Sequence, residues 1–590
     1  MKYRWMWRGL ASEADIAALA QACELPRGIA AVLVARDIRT PEAARQFLSP
    51  ALDQLHSPWL LRDMEKAVER LGRARERGEM VWIQGDYDVD GATSTALLVD
   101  FLRRWGVPVG YYVPDRFQEG YGLTPDSVER AREAGAALLL AVDCGSNAVE
   151  AVAHARACGI DTIVCDHHEL TGEEPEAIAL LNPRISKSGY PFPALAACGV
   201  VFKLVWALAE RWGQPEQAFE YTDLVALATV ADLVPMIGEN RVLTALGLQR
   251  LREAPRPGIR GLLQCVGTEP ERVTTAEIIF TLAPRINAAG RLGDARRAVE
   301  MLLQTDEGMS FRIAQELECE NFRRRTLAEQ VYGEALQQAE ELLIRRNKRS
   351  VVLYNPNWHP GVLGAVATRI AERFQVPVIL LSRVGGFIKG SARSGGTVDL
   401  LQLLDACAPH TYEYGGHPFA AGVVLQEGQV EVFRQAVESF ANQRELRPAE
   451  KPELRVDALV DFAEITPRFL LLLRQMAPFG YANFRPVFLA RGVRIQRCRN
   501  DGVCRLEQNG VWMHGQLSGL SLPEAVMERQ RVSLLYTIEE QGGTSRTVGI
   551  PIVRVHDVCS GDESSCLKQL QPGTMSTSLA LPVLLHGSRQ

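Results

Sequence analysis

Acidic residues follow short apolar runs at separate places along this chain, and this arrangement is the feature that most constrains its fold. One run leads into residues 85–91, which read Gly-Asp-Tyr-Asp-Val-Asp-Gly, a second ends at Asp143, and a third ends at Asp166-His167-His168. Strands that alternate with helical segments predict βαβ units on a parallel sheet, where ligands gather beyond the carboxyl ends of the strands. We therefore expect these side chains to meet at one edge of a sheet.

The first of these motifs carries Asp86, Asp88 and Asp90 at alternate positions. In extended backbone the three carboxylates would share one face, and because like charges repel, we expect a cation between them. Carboxylate, imidazole and water ligands suit Mn²⁺ or Mg²⁺. Two such ions about 3.5–4 Å apart can activate a water and stabilise the leaving oxygen of a phosphodiester. A solvated Asp-rich turn is the simple alternative for this motif alone, and the further donors at His167 and Asp232 disfavour it.

The composition is typical of a globular protein with several domains. The chain has 590 residues, of which 47% are hydrophobic and 23% are charged. It contains no run of about 18 uncharged apolar residues, so we expect no membrane span, and its first residues lack the apolar core of a signal peptide. Twelve cysteines without paired metal-ligand spacing favour a reducing cytoplasm. The net charge of −6 neither indicates nor excludes nucleic-acid binding, which depends on a local basic surface.

The pattern of residues changes several times along the chain and predicts separate domains. A polar helical stretch from Ser310 to about Arg346 predicts a connector between two α/β units, the second of which begins at Ser350. Short alternating runs from about Pro452 predict an all-β barrel of the OB type. Residues after Cys559 are rich in Ser, Gly and Thr and lack periodicity, which indicates a flexible tail.

The order of the motifs resembles that of the DHH phosphoesterase superfamily. The segments that carry this resemblance are Asp86-x-Asp88-x-Asp90-Gly, Asp143-Cys-Gly, Asp166-His167-His168 and Ala-Asp232-Leu-Val-Pro. Three further segments narrow it to the RecJ family of bacterial exonucleases. These are residues 284–291, Pro-Arg-Ile-Asn-Ala-Ala-Gly-Arg, residues 390–394, Gly-Ser-Ala-Arg-Ser, and residues 415–422, Gly-Gly-His-Pro-Phe-Ala-Ala-Gly. The resemblance covers roughly residues 50–558.

The resemblance implies an α/β fold in which a DHH parallel-sheet domain is joined by a long helix to a smaller DHHA1 α/β domain, followed by an OB-type β-barrel. We expect the following limits: an N-terminal segment 1–75, a DHH domain 76–305, a connector helix 306–349, a DHHA1 domain 350–445, an OB-fold domain 452–558 and a flexible tail 559–590.

The resemblance also implies a set of ligands for two divalent ions, Mn²⁺ or Mg²⁺. One ion would be held by Asp88 and Asp143. The second would take Asp143 as a bridging ligand together with Asp90, His167 and Asp232. Asp86 would lie beside the first ion. His168 would contact the scissile phosphate. Hydrolysis would proceed without a covalent enzyme intermediate. The catalytic residues that the resemblance implies are His168, Asp143 and Asp86.

The DHHA1 motifs imply a site for DNA phosphates. Gly-rich turns let backbone N–H groups approach an anion closely. The residues expected to bind a terminal 5′-phosphate are Ser391, Arg393, Gly415, Gly416 and His417. Arg285 and Asn287 are expected to bind neighbouring backbone phosphates. Such an end-binding site at a fixed distance from the metals would explain both exonuclease action and polarity.

A grip along the strand is expected on the barrel, because OB folds combine a basic groove with aromatic stacking platforms. The candidate residues are Arg491, Arg494, Arg497, Trp512 and Tyr536. A solvated basic face is the alternative interpretation.

The function implied by the resemblance is 5′→3′ exonuclease action on single-stranded DNA, which releases mononucleotides in recombination and repair. The implied partners, besides the DNA, are single-strand-binding protein, a RecQ-type helicase and recombination or mismatch-repair factors; we expect a cytoplasmic monomer. One alternative is a DHH phosphodiesterase acting on short RNA or cyclic dinucleotides, which the final barrel disfavours. The other is a catalytically inactive replication scaffold, which the complete set of ligand positions disfavours.

Overall fold

The computed structural model describes residues 2–9, 11–116, 119–120, 122–443, 452–496, 502–517, 531–541 and 549–559, together with the backbone of Gln571 and Pro572. Two compact units are present. One comprises residues 1–56, 235–246 and 451–590, and the other comprises residues 57–234 and 247–450. Arg497 and most of the expected tail lie outside the described residues.

The chain begins with one strand and three helices of the first unit. They are β1 (Arg4–Trp7), α1 (Glu13–Ala22), α2 (Arg27–Ala35) and α3 (Pro41–Leu48). No single helix among the described residues is long and apolar enough to cross a membrane, and α1 and α2 meet those criteria only as a pair bent by 119°.

The second unit opens with a five-stranded parallel sheet in the order β3-β2-β4-β5-β6. Its elements are α4 (Met64–Arg77), β2 (Val81–Gln84), α5 (Val89–Arg104), β3 (Val109–Tyr112), α6 (Pro125–Glu133), β4 (Leu138–Val142), α7 (Val149–Ala157), β5 (Asp161–Cys165) and β6 (Ala179–Leu181). Thr124 caps α6, and Pro125 stands at the first helical position, which suits proline because its missing N–H makes no intrahelical bond there. The strands β4 and β6 are apolar and buried throughout, whereas every residue of β3, at one edge of the sheet, is partly exposed.

A helical region follows the sheet. Its helices are α8 (Ala197–Arg211), α9 (Thr222–Ala231), α10 (Gly238–Glu253), α11 (Pro257–Cys265), α12 (Thr275–Glu277), α13 (Ala283–Leu292), α14 (Arg296–Leu303) and α15 (Glu307–Glu340). Short 3₁₀ turns span Leu52–Gln54, Pro58–Leu60, Pro215–Tyr221, Pro270–Arg272, Ala408–His410 and Phe462–Glu464, and π-helical turns span Ile278–Leu282 and Glu341–Arg345.

A second, mixed sheet completes this unit in the order β10-β11-β9-β8-β7. Its elements are β7 (Val351–Tyr354), α16 (Pro360–Phe374), β8 (Val378–Val384), β9 (Phe387–Arg393), α17 (Leu400–Ala406), β10 (Glu413–His417), β11 (Ala420–Leu425) and α18 (Val430–Gln443). β7 and β8 are parallel, whereas β8, β9, β11 and β10 pair antiparallel. This arrangement confirms the second α/β domain.

From residue 452 onward, the described residues of the first unit form strands, one helix and a short 3₁₀ turn. Its elements are β12 (Glu453–Val456), β13 (Ala458–Leu459), α19 (Pro467–Gln475), β14 (Phe488–Gln496), β15 (Val503–Gln508), β16 (Val511–Leu517), β17 (Val532–Gln541), β18 (Ile550–Cys559) and β19 (Gln571–Pro572). The strands close into a five-stranded barrel, β14-β15-β16-β18-β17, because β14 pairs with β17 as well as β15. The predicted barrel is thus confirmed.

The N-terminal helices share a core with this barrel. Buried Ile29 and Val32 of α2 belong to the same apolar cluster as Phe469 of α19 and Phe488 of β14. Residues 1–56 therefore group with the barrel rather than standing as a separate N-terminal segment.

Candidate metal centre

The first acidic motif begins as a loop and continues as a helix. Asp86 follows β2, and Asp88 is the N-cap of α5, where its Oδ1 accepts the backbone N–H of Asp90 at 2.9 Å and of Gly91 at 3.1 Å. Asp90 stands in the first turn of that helix. The segment does not stay extended, because the Asp88 cap starts the helix at Val89. The carboxylates converge through the helix start, not through strand pleating.

Asp90 is fixed by the start of another helix. Its two carboxylate oxygens accept the backbone N–H groups of Ala197 at 2.8 Å and Cys198 at 2.7 Å, at the first positions of α8. The positive end of a helix macrodipole stabilises a carboxylate there. The side chain is 1% exposed, so its geometry is set by the packing of α8 against α5.

Two further groups of donors follow β4 and β5, at the same edge of the parallel sheet as Asp86, whereas Asp232 is the C-cap of α9. Asp143 comes directly after β4 with φ of 60°, a left-handed conformation that is uncommon for a non-glycine residue. Asp166 comes after β5, and its Oδ1 accepts the backbone N–H of His167 at 2.7 Å and the ring Nδ1 of His168 at 2.7 Å. Its other oxygen accepts the backbone N–H of Ser146 at 2.9 Å. Asp166 therefore orients the histidine pair.

The two histidines face different partners. His167 turns toward the carboxylates, with its Nε2 3.4 Å from Asp143 Oδ1, 3.8 Å from Asp90 Oδ2 and 3.7 Å from Asp232 Oδ2. His168 is held by Asp166 instead. The structure thus brings together Asp90, Asp143, His167 and Asp232 around one point.

These side chains form overlapping groups of metal-ligating atoms. Within each group the donor atoms lie within 4.8 Å of one another; the groups are Asp86–Asp88–Asp143, Asp90–His167–Asp232 and Asp143–His167–His168. Asp86 Oδ1 is buried without a hydrogen-bond partner. Such an oxygen is costly to bury unless an ion or water meets it. The donors, which are carboxylates and a neutral imidazole, fit Mn²⁺ or Mg²⁺.

The electrostatics of the cluster also fit bound cations. Burial and the neighbouring Asp88 raise the pKa of Asp86 to about 8, and the same two causes raise that of Asp232 to about 7. Burial and nearby carboxylates likewise raise the pKa values of Asp90 and Asp143. These carboxylates repel one another, so divalent cations would stabilise their ionised forms. Burial lowers the pKa of His167 to about 4, so this imidazole is neutral and available as a ligand.

The donors line a cavity of about 310 Å³. Its walls are formed by Asp86, Tyr87, Asp88, Arg116, Asp143, His167, His168, Ala231, Asp232, Asn287 and Arg291. Sequence reasoning missed Tyr87, Arg116 and Arg291 as site residues. Arg116 stands over the Tyr87 ring at 4.9 Å. Arg116 follows the carboxyl end of β3. Because ligands gather beyond the carboxyl ends of parallel strands, the position of Arg116 in the sequence could have indicated that it belongs to the site.

The two residues expected to bind backbone phosphates differ in placement. Asn287 lines the cavity, and its Oδ1 accepts the backbone N–H of Val89 at 3.1 Å. Arg285 is not in the cavity wall; its guanidinium donates to the carbonyl of Thr281 at 2.6 Å and forms an ion pair with Glu318 on α15. The expected phosphate role of Arg285 is therefore not supported, because its charge is neutralised within the helical region.

The expected residues for the terminal phosphate lie in two cross-strand rows on the second sheet. Gly415 of β10 is opposite Gly422 of β11, which is opposite Ser391 of β9. Two residues further along, His417, Ala420 and Arg393 are aligned in the same way. Directly opposed residues share a face of the sheet. The sheet thus brings Ser391, Arg393 and His417 together on one face, beside open space above Gly415.

The barrel residues expected to grip a strand do not share one environment. Tyr536 is 0% exposed and donates its hydroxyl to the carbonyl of Val460 at 2.8 Å, so it cannot stack on a base, and that prediction is wrong. Trp512 is 52% exposed. It lies in the same cross-strand row as Arg494, which is exposed, with Glu507 between them. Arg491 is half-buried.

Three family descriptions match successive parts of the chain. Residues 80–229 match the DHH family N-terminal domain, residues 347–443 match the DHHA1 domain, and residues 456–542 match the RecJ OB domain.

Relatives and solved structures agree with these matches. The chain is 37% identical over 497 residues to the single-stranded-DNA-specific exonuclease RecJ of Salmonella typhimurium, covering 80% of this chain and 85% of that protein. It is 34% identical over 476 residues to the Bacillus subtilis protein of the same name, covering 80% of this chain and 60% of that longer protein. The crystal structure of RecJ in complex with Mn²⁺ from Thermus thermophilus is similar with a TM-score of 0.78 and 30% identity, covering 95% of this chain and 80% of that one. The motifs, the domain order and these similarities establish that the chain belongs to the RecJ family of exonucleases.

Proposed function

We propose that this chain is a single-stranded-DNA-specific exonuclease that hydrolyses phosphodiester bonds in the 5′→3′ direction and releases mononucleotides. The observation that carries this proposal is the cavity in which two sets of metal-ligating side chains surround Asp143. The relatives support single-stranded DNA as the class of substrate, since the Salmonella typhimurium and Bacillus subtilis proteins are both named single-stranded-DNA-specific exonucleases.

The side chains would divide between two divalent ions, Mn²⁺ or Mg²⁺. Asp88 and Asp143, with Asp86 beside them, would hold one, and Asp90, His167, Asp232 and the shared Asp143 would hold the other. Bound together, two such ions supply an activated water and charge stabilisation for the leaving oxygen. The similar Thermus thermophilus structures were determined with Mn²⁺ and with Mg²⁺, which supports this choice of ions.

His168 is proposed to bind the scissile phosphate. Burial opposes its protonation, but the hydrogen bond and negative charge of Asp166 outweigh that effect and raise the pKa of His168. The ring lines the cavity, and its protonated form can donate a charge-assisted hydrogen bond to a phosphate oxygen. Asp166 acts here as a positioning residue.

A group of arginines is proposed to bind the end of the strand. Burial, with the positive charges of Arg116 and other arginines including Arg393, lowers the pKa of Arg291 to about 10. Burial and Arg116 likewise lower the pKa of Arg393. Mutual repulsion among these neighbouring guanidinium groups is relieved by an anion between them. We therefore propose that the terminal 5′-phosphate binds near Arg116, Arg291 and Arg393, together with Ser391, His417 and the Gly415-Gly416 segment of β10.

The exposed face of the barrel is proposed to hold the strand further from its end. Arg494 and Trp512 share one cross-strand row, and Arg505 of β15 is directly opposite His514 of β16 in another. These four side chains are all exposed. Aromatic stacking and phosphate contacts of this kind bind single strands without sequence preference.

The proposal extends to the biological setting. We propose that the enzyme acts as a monomer in the cytoplasm during recombination and repair. Its proposed partners are single-strand-binding protein, a RecQ-type helicase and recombination or mismatch-repair factors.

Degradation of a 5′-phosphorylated single strand labelled at its 3′ end tests the proposal. With Mn²⁺ or Mg²⁺ present, we expect progressive shortening of the labelled strand and no action on a blunt duplex of the same sequence. A matched strand labelled at its 5′ end should release labelled mononucleotide at once, because the enzyme starts there.

Two other outcomes separate the alternatives. Strand binding without shortening in either metal would favour an inactive scaffold. Rapid cleavage of dinucleotides or short RNA, with long DNA strands left intact, would favour a DHH phosphodiesterase that acts on short RNA or cyclic dinucleotides.

A further inference from the structure

A second group of metal-ligating side chains lies on helices α6 and α7. Glu129 of α6 faces His154 and Cys158 of α7. The His154 Nε2 lies 2.7 Å from Glu129 Oε1, and Cys158 Sγ lies 3.8 Å from each of these two atoms. Within the described part of the chain, every other cluster of three such donors belongs to the catalytic cavity. This cluster is therefore separate in both position and chemistry.

Its position in the fold is opposite to that of the cavity. The cavity lies beyond the carboxyl ends of β2, β4 and β5, where helices begin. A helix that connects parallel strands returns toward their amino ends, and Cys158 stands at the C-terminal end of α7. His154 and Cys158 are four residues apart, a spacing that sets both on one helix face.

We propose that Glu129, His154 and Cys158 bind one Zn²⁺ ion. A thiolate, an imidazole and a carboxylate are zinc ligands, and three protein ligands leave a fourth tetrahedral position for water. Metal–ligand bonds of about 2.0–2.3 Å in a tetrahedron separate the donors by roughly 3.3–3.8 Å. The distances from Cys158 Sγ to Glu129 Oε1 and to His154 Nε2, both 3.8 Å, lie at the upper end of that range. The hydrogen-bonded His154–Glu129 pair must open by about 0.6–1 Å, which half-exposed surface side chains permit.

The surroundings of the cluster orient one ligand and leave the site open to solvent. Arg132 Nε donates to Glu129 Oε2 at 2.7 Å, which orients the carboxylate with Oε1 toward His154. The C-terminal end of α7 adds the negative pole of a helix macrodipole. Both Glu129 and His154 side chains are 37% exposed, which gives an ion access from solvent.

Binding would have a defined chemical balance. The Cys158 thiol loses its proton to solvent and its sulfur takes a bond to the ion. The hydrogen bond between His154 and Glu129 is broken, and by exchange with solvent the imidazole gives up its Nε2 proton and keeps a proton at Nδ1, which frees the Nε2 lone pair. The His154 Nε2 lone pair and Glu129 Oε1 fill two further positions. Since ligands come from two helices, the ion cross-links α6 to α7, and binding stabilises the folded state.

The donor set predicts a different metal preference from that of the cavity. The cavity offers mainly carboxylates, which suit Mn²⁺ and Mg²⁺, whereas the thiolate of Cys158 selects Zn²⁺ over both. Millimolar Mn²⁺ should therefore occupy the cavity and leave the helix site free.

Co²⁺ spectroscopy and Zn²⁺ competition on the full chain test the proposal. All proteins carry Asp143→Ala, so that ions in the catalytic cavity contribute little. Co²⁺, the spectroscopic substitute for Zn²⁺, should give a thiolate-to-metal charge-transfer band that one equivalent of Zn²⁺ abolishes. Adding Cys158→Ser or His154→Gln should remove the band, and adding Cys319→Ser, at an exposed cysteine on α15, should preserve it.

Thermal unfolding provides a second readout. Excess Zn²⁺ should raise the Tm of the Asp143→Ala protein, and Cys158→Ser should abolish that rise while leaving the Tm without metal nearly unchanged. A charge-transfer band that survives Cys158→Ser, or an equal Zn²⁺-dependent rise in Tm with and without that substitution, would overturn the proposal. So would the absence of any Co²⁺ band in the parent protein. Nuclease activity of the Cys158→Ser single variant should equal that of the wild type, so failure of this site and failure of the proposed function are distinguishable.

Discussion

The backbone of Asp86 packs so closely on Gly91 that a β-carbon on Gly91 would lie 2.5 Å from the Asp86 carbonyl oxygen. The same β-carbon would lie 2.7 Å from two other backbone atoms of Asp86. This contact joins the loop after β2 to the first turn of α5, and all three carboxylates of the first motif stand on that short segment. The glycine is therefore required by the packing that sets the metal ligands.

Gly91→Ala should damage the metal centre. The added methyl group meets backbone, which cannot move aside as a flexible side chain would. We expect a loss of about 1–3 kcal/mol in the free energy of unfolding, and a loss of activity of about tenfold or more, because the carboxylates shift. Gly72→Ala is the matched control: nothing lies within 4 Å of its β-carbon, and it is in the interior of α4. It should gain up to about 1 kcal/mol. Equal activity in both variants would contradict this account.

Arg393→Gln should weaken recognition of the 5′-phosphate. Hydrogen bonds to charged groups contribute about 1.5–3 kcal/mol, so the affinity for a 5′-phosphorylated strand should fall about tenfold or more, toward that of a 5′-hydroxyl strand. Fluorescence anisotropy with both strands measures the ratio. Arg383→Gln, on neighbouring β8, serves as the control, since Arg383 is exposed and pairs with Glu427 at 2.7 Å. An unchanged ratio in Arg393→Gln would remove Arg393 from the end-binding site.

Trp512→Ala should weaken binding of long strands more than short ones. Stacking of a base on an aromatic side chain contributes about 1–3 kcal/mol, and only a strand long enough to reach the barrel would lose it. Tyr536→Phe is a matched comparison on the barrel: it should cost about 1 kcal/mol in stability through the lost hydrogen bond to Val460, with no effect on DNA affinity. The Kd of each variant for strands of increasing length decides the matter. A loss of affinity in Tyr536→Phe instead would reverse the assignment.

His556→Gln should reduce the acid sensitivity of the barrel. Burial and the positive charge of Arg554 lower the pKa of His556 to about 4, from 6.5 in the unfolded chain. The unfolded state therefore binds a proton first, so stability is full above pH 6.5 and falls as the pH drops toward 4. Each pKa unit corresponds to about 1.4 kcal/mol. Between pH 7 and 5, urea unfolding should show that the wild type loses about 2 kcal/mol more than the variant. Parallel losses would show that His556 titrates normally.

The sequence predicts much of the second unit because its signals are local. Apolar runs mark β2, β4 and β5, and Asp86, Asp143 and Asp166 follow these strands as expected. Other features depend on contacts between distant residues. The core shared by Ile29 and Phe488 joins segments more than four hundred residues apart, which no periodicity reveals.

Individual roles at the site were harder to predict for the same reason. Tyr536 reads as an exposed aromatic, yet barrel closure buries both faces of its strand around it. Arg285 reads as a free cation, yet Glu318 lies beside it in the helical region. Arg116, in the loop after β3, and Arg291, in α13, both line the cavity. The acidic motifs alone do not predict that this loop and this helix lie together.

Counting bound Mn²⁺ while measuring strand degradation tests the central claim most directly, because the account assigns both metals to ligands that share Asp143. Equilibrium dialysis and degradation of a 3′-labelled, 5′-phosphorylated strand are compared for the wild type, Asp143→Ala and Asp126→Ala, an exposed aspartate in the first turn of α6. We predict two Mn²⁺ per chain and progressive shortening of the strand in the wild type and in Asp126→Ala. In Asp143→Ala we predict that both the metal binding and the degradation are lost. Two bound Mn²⁺ and undiminished degradation in Asp143→Ala would contradict the two-metal centre described above.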